Sequence, residues 1–193
     1  KFNSVYGETL VEPKILLPDN EACLRLPGID GKAKMSKSLG NCIYLAEDPK
    51  DIKKKVMSMF TDPNHIRIED PGSLEGNTVF TYLDAFCNDQ HFVEYLPDYK
   101  NLDELKEHYQ RGGLGDVKVK KFLNNVLQEE LEPIRKRREE LQKDIPYVYE
   151  VLKKGSEVAR ETAAQTLHEV RDAMKINYFD DMELIRSQAK KYE

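Results

Sequence analysis

At Asp48-Pro49 the sequence changes character. Downstream of it, apolar residues recur at helical spacing, so the chain must bury its stripes largely by packing helix on helix. Asp48 is an N-cap residue and Pro49 suits the first helical position. Ile52, Val56, Met59 and Phe60 then share one face, with Lys53-Lys54-Lys55 mostly opposite. Asn77 predicts the start of a helix burying Val79, Phe80, Leu83 and Phe86. Asn101 with Glu104 gives a capping-box-like start to another, with Leu102, Leu105 and Tyr109 as its stripe. Arg111-Gly112-Gly113-Leu114-Gly115 breaks the pattern, after which Asp116 is expected to cap a long helix. Its stripe runs through Val119, Phe122, Leu123, Val126 and Leu127 to Leu131 and Ile134, with Pro133 kinking it or ending its first part. Asp144-Ile145-Pro146 and Gly155-Ser156 are read as the starts of two more helices, the second burying Val158, Ala163, Leu167, Val170 and Met174. Residues 180–193 read as a capped, partly frayed helical tail.

Upstream of Asp48 the chain is punctuated by Gly7, Pro13, Pro18, Pro27, Gly28, Gly31 and Gly40. Between these lie short apolar runs, Lys14–Leu17, Ala22–Leu26 and Cys42–Leu45, expected to be short strands of a sheet. Residues 1–48 are thus expected to end an α/β domain, and residues 49–193 to form a helical bundle whose last ~14 residues are a tail.

Charge and cysteine usage narrow the class. The 193 residues carry 30 Lys plus Arg against 35 Asp plus Glu, a net charge of −5. That acidic total conceals a pattern. Residues 32–55 hold seven positive and three negative side chains, residues 56–110 three and eleven, and residues 111–143 nine and six. Two basic segments in an acidic chain allow local contact with phosphate. No apolar run approaches the ~18 residues that a spanning helix needs. The chain opens at Lys1 with no initiator Met and no signal-peptide pattern, and is expected to be an internal piece of a longer protein. Cys23, Cys42 and Cys87 lack C-x-x-C spacing and a nearby His, so neither a disulfide framework nor a metal site is expected. They read as reduced, buried thiols of a cytoplasmic protein. His65, His91, His108 and His168 are isolated, and read as structural or surface residues.

The most informative stretch is Gly31-Lys32-Ala33-Lys34-Met35-Ser36-Lys37-Ser38-Leu39-Gly40-Asn41. Three lysines within six positions repel one another unless an anion sits among them. Ser36 and Ser38 add hydroxyls and backbone N–H donors, and the bracketing glycines permit movement. Such a loop suits an oligophosphate whose charge changes during reaction. It is not a Walker loop, because no G-x-x-x-x-G-K-[ST] precedes a helix.

Lys34-Met35-Ser36-Lys37-Ser38 is also the intact KMSKS signature of class I aminoacyl-tRNA synthetases. Phe2–Gly7, Phe60-Thr61-Asp62, Gly76–Asp84, Gly112–Lys118 and the Gly155-Ser156…Ala159 pattern resemble the bacterial tryptophanyl-tRNA synthetase family over nearly the whole chain, weakening after Tyr178. The tyrosyl-tRNA synthetases share the architecture and are the alternative within the class. A stand-alone helical RNA-binding module is the alternative outside it.

The resemblance implies a mainly helical chain that begins with the end of a Rossmann-type catalytic domain and continues as an anticodon-binding bundle. It implies ATP-dependent activation of tryptophan and its transfer to tRNA-Trp, with Mg²⁺ accompanying ATP. Lys37 is then the principal transition-state lysine and Lys34 its partner, both catalytic. Met35, Ser36, Ser38 and the backbone near Arg25 line the ATP site. Lys118, Lys120, Lys121, Arg135, Lys136, Arg137 and Arg138 are candidates for contact with the tRNA backbone. No protein metal ligand is implied. The family's second signature, His-x-Gly-His, does not occur here. By the resemblance it belongs upstream, with the tryptophan pocket and the surfaces of a homodimer. The chain by itself is therefore expected not to activate an amino acid.

Overall fold

The structure is a computed structural model that describes residues 1–20 and 23–192. Its elements are α1 (Asn3–Tyr6), α2 (Pro49–Met57), α3 (Thr78–Phe86), α4 (Asp89–Tyr95), α5 (Leu102–Arg111), α6 (Asp116–Gln142), α7 (Ile145–Ala173) and α8 (Met182–Ala189). No strand forms among the described residues. The sole β pairing there is a single antiparallel bridge between Pro27 and Lys34. The three expected strands are corrected accordingly: Lys14–Leu17, Cys23–Leu26 and Cys42–Leu45 are irregular, while Ala22 lies outside the described residues. A strand exists only through a ladder partner, and the described residues supply none for these runs.

Residues 17–142 form one compact unit, in which α6 packs against α2, α3 and α4, and α3 against α5. Ile52, Val56, Met59, Val79, Phe80, Leu83, Phe92, Leu105, Tyr109, Phe122, Leu123 and Val126 are almost wholly withdrawn from water. Full burial of each such side chain is worth about 1.5–3 kcal/mol. The caps explain the helix starts. Asp48 accepts from Lys50 N, Asn77 from Val79 N and Asn101 from Glu104 N. The stripes end sooner than expected, since Phe60 and Ile134 are exposed. α6 continues through Pro133 without ending.

Compactness does not divide the chain at 48/49. Residues 27–43 pack onto the helical unit: Phe60 N donates to Ile29 O (2.9 Å), and the Tyr82 hydroxyl donates to Pro27 O (2.8 Å). The second unit groups residues 1–16 with 143–193. Within it α7 is one helix of 29 residues capped by Asp144, with Gly155 in its interior rather than at a start. The cost of an interior glycine, about 1 kcal/mol, is small against a helix of that length. None of α7 is buried, so Val158, Leu167 and Met174 are exposed rather than covered. In the tail, Asp181 caps α8 by accepting from Leu184 N at 2.8 Å.

One of the three cysteines is buried as expected. Cys42 is buried and Cys87 half-buried, but Cys23 is exposed. Burial, with Asp89 and Asp84 nearby, pushes the Cys87 thiol up to about 12. Alkylation at pH 8, followed by peptide mass mapping, should therefore mark Cys23 first, with Cys42 and Cys87 reacting on unfolding. Equal rates at Cys23 and Cys87 would contradict this packing.

Candidate nucleotide loop and basic cleft

The lysine loop is a two-limbed turn fixed at its base. Gly28 N donates to Ala33 O (2.7 Å) and Ile29 N to Asn41 O (2.9 Å), which draws the limbs together. Gly31 and Gly40 adopt left-handed φ values of 68° and 66°. At Gly31 a β-carbon would also crowd Phe60 and Thr78, at 2.8 and 2.9 Å. Met35 is half-buried, its sulfur 3.2 Å from the Tyr82 hydroxyl, so it docks the loop on α3. Burial pushes that tyrosine up to about 12, keeping it a hydrogen-bond donor. Ser36 and Ser38 share a hydrogen bond of 2.9 Å between their hydroxyls.

Lys34 and Lys37 are exposed, as is Lys32. Among the described residues, none of the three has a carboxylate in salt-bridge range, whereas Lys54, Lys55, Lys106, Lys118, Lys136 and Lys154 each do. Uncompensated lysines on a tethered turn are suited to a multiply charged anion. Arg25 is exposed in an irregular segment, since the strand expected to carry it does not form.

The second basic segment is more occupied than its sequence suggests. Lys118 pairs with Asp98 (2.9 Å) and lies over the Tyr99 ring. Lys120 is partly buried and donates to Met57 O (3.3 Å), and burial lowers its pKa. Arg135 folds back on Gln128 (2.9 Å). Lys136 pairs with Glu132 (2.7 Å) and Arg137 with Glu140 (3.1 Å). Lys121 and Arg138 are exposed. Lys118 and Lys121 line a cleft of about 590 Å³ with Arg67, Tyr99 and His108, and the exposed Ile66, Ile68 and Val117 stand around it. Burial, aided by Arg111 and Lys118, lowers the His108 pKa, and the Tyr99 hydroxyl lies 2.7 Å from its Nδ1.

A polar hub behind this cleft has no counterpart in the sequence reading. Asp116 was expected to cap α6. Instead it is the first helical residue, and its carboxylate accepts from Thr61 (2.6 Å), Tyr109 (2.7 Å) and the His65 Nδ1–H (3.0 Å). Burial by itself would raise the Asp116 pKa, but these three hydrogen bonds outweigh it and hold the carboxyl below its ordinary value. Sequence alone could flag the four polar residues but not their convergence.

The family model for class I tRNA synthetases (W and Y) matches residues 1–132, about two thirds of the chain, the lysine loop included. The chain belongs to this family. Tryptophan–tRNA ligase from Clostridium longisporum is 63% identical over 182 residues, covering 94% of this chain and 50% of that protein. Tryptophan–tRNA ligase from Streptococcus agalactiae serotype V is 56% identical over 179 residues, covering 92% and 50%. A crystal structure of tryptophanyl-tRNA synthetase from Campylobacter jejuni, complexed with ADP and tryptophan, superposes with a TM-score of 0.65 at 26% identity. It covers 90% of this chain and 50% of that chain. The chain thus spans about half the length of the curated relatives it matches. The mainly helical class I synthetase portion expected from sequence is what the structure shows. No helix among the described residues is long and apolar enough to cross a membrane.

Proposed function

We propose that this chain is the C-terminal portion of a tryptophan–tRNA ligase, contributing the lysine loop to amino-acid activation and the basic helical surface to tRNA binding. The observation that carries the reading is the lysine loop of a class I synthetase family member, tethered to α3 yet presenting Lys34 and Lys37 with no carboxylate in salt-bridge range among the described residues. In activation the amino-acid carboxylate attacks the α-phosphate of ATP, and negative charge gathers on the departing pyrophosphate. Lysines aimed at the β- and γ-phosphates accelerate that step to the extent that they bind the transition state more tightly than ATP itself. Lys37 has this role and Lys34 supports it. Ser36, Ser38 and the backbone near Arg25 add donors, while Met35 contributes by docking the loop.

Mg²⁺ enters with the phosphates of ATP. Among the described residues no group of three His, Cys, Asp or Glu side chains is placed to hold a metal ion. By role, residues 1–48 belong with the catalytic domain and residues 49–193 with the anticodon-binding part. Lys121 and Arg138 are ready for phosphate contact, and Lys118, Lys136 and Arg137 become so by exchanging surface ion pairs of low worth. Lys120 and Arg135 chiefly hold the fold. The homodimer contact and the amino-acid pocket lie in the other half of the enzyme, which is cytoplasmic.

Amino-acid-dependent exchange of pyrophosphate into ATP by the full-length protein containing this segment tests the reading. Exchange with tryptophan is expected. Exchange with tyrosine and not tryptophan would transfer the chain to the sister enzyme, and exchange with neither would overturn the activity.

A further inference from the structure

The described residues place one buried polar side chain inside the loop whose lysines are exposed. Asn41 is 4% exposed although Gly40 before it and the lysines across from it are open to water. Its Oδ1 accepts from Ser36 N at 2.8 Å, in the middle of Lys34–Lys37. Its Nδ2 donates to Asp30 Oδ1 at 3.2 Å, on the opposite limb. Its own carbonyl accepts from Ile29 N at 2.9 Å. One amide therefore ties both limbs together and fixes the peptide plane between the two catalytic lysines. Gly28 makes room for it, because a β-carbon there would run into the Asn41 amide and lie 2.8 Å from the Asp30 carboxylate.

We propose that Asn41 is a positioning residue for activation: its amide clamp to Ser36 and Asp30 sets the loop conformation from which Lys34 and Lys37 reach the phosphates. The proposal rests on the function assigned above to this loop. The clamp needs an acceptor toward Ser36 and a donor toward Asp30 at once, and only an amide of this length provides both. Aspartate at 41 keeps the acceptor but sets a second carboxylate against Asp30. Exchanging the two groups restores the pairing: in the Asn41→Asp/Asp30→Asn double variant, the carboxylate at 41 accepts from Ser36 N and from the new amide at 30. The loop's net charge is then unchanged, so electrostatic attraction for ATP is held nearly constant.

In the full-length protein, Asn41→Asp is expected to lower kcat for tryptophan-dependent pyrophosphate exchange by on the order of tenfold or more, since small misplacement of reacting groups is costly. The KM for tryptophan should not move. The double variant should return to within about threefold of wild type. A single variant within twofold of wild type, or a double variant as slow as the single, would overturn the proposal. Limited trypsin digestion reads the clamp without reference to activity. Cleavage after Lys32, Lys34 and Lys37 should accelerate in Asn41→Asp and slow again in the double variant. Wild-type protein silent in exchange, with the protease pattern as expected, would overturn the ligase reading and keep the clamp. Normal wild-type exchange with no rescue in either assay would overturn the clamp alone.

Discussion

Replacement of Lys37 by alanine in the full-length protein is expected to slow tryptophan adenylate formation by about two to three orders of magnitude, the scale observed when one directed transition-state donor is removed. The size follows from geometry as well as charge. Lys37 has no carboxylate within salt-bridge range among the described residues, so its ammonium is not already spent. The turn around it is tethered through Tyr82, Asn41 and the Pro27–Lys34 bridge. Because the charge on pyrophosphate grows as the bond breaks, the loss should fall on kcat far more than on the KM for ATP. Lys34→Ala should show the same division with a smaller loss. Single-turnover adenylate formation measures both. A Lys37→Ala rate within a few-fold of wild type would remove this lysine from the mechanism.

The second large effect concerns stability. Asp116→Asn is expected to destabilise the fold by about 2–3 kcal/mol at pH 7, because a charged acceptor of three part-buried hydrogen bonds becomes a neutral group with one acceptor oxygen. Thr61, His65 and Tyr109 compete for it, and the His65 ring, edge-on to Tyr109, is anchored through this carboxylate. The pH dependence has a definite sign. The Asp116 carboxyl lies below its ordinary 3.8 when folded, so the unfolded chain binds more protons between the two values. Its contribution is fully present above about pH 4–5 and is lost as pH falls through the folded pKa. Urea unfolding of wild type and Asp116→Asn should therefore differ most at neutral pH and converge in acid. A constant difference down to pH 3 would contradict the hub.

Much of the helical unit is legible in the sequence because its signals are local. Asp48, Asn77 and Asn101 each cap a helix within three residues of themselves, and the apolar stripes of α2, α3, α5 and α6 repeat over one or two turns. α4 escapes notice because its capping box closes with His91, which accepts from Asn88 N, where Glu or Gln is the usual sign. α7 misleads in the other direction, since Gly155 looks like a boundary and is not one. Over its described residues, 23–26, the strand expected at Ala22–Leu26 does not form, because pairing needs a partner strand, a quantity no residue carries by itself.

The sequence alone determined the family resemblance and the charge of the lysine loop, because five adjacent residues specify the one and the other needs no partner to be counted. Tertiary structure decided which described basic residues pair with carboxylates, what holds the loop, and where Asp116 turns its carboxylate. Those outcomes depend on atoms brought together across 5 to 55 positions of chain, Ser36 with Asn41 and Thr61 with Asp116. Charge and hydrogen-bonding capacity belong to a residue type. Whether they are spent inside the protein or kept for a ligand depends on distance, and distance between remote residues is set by packing.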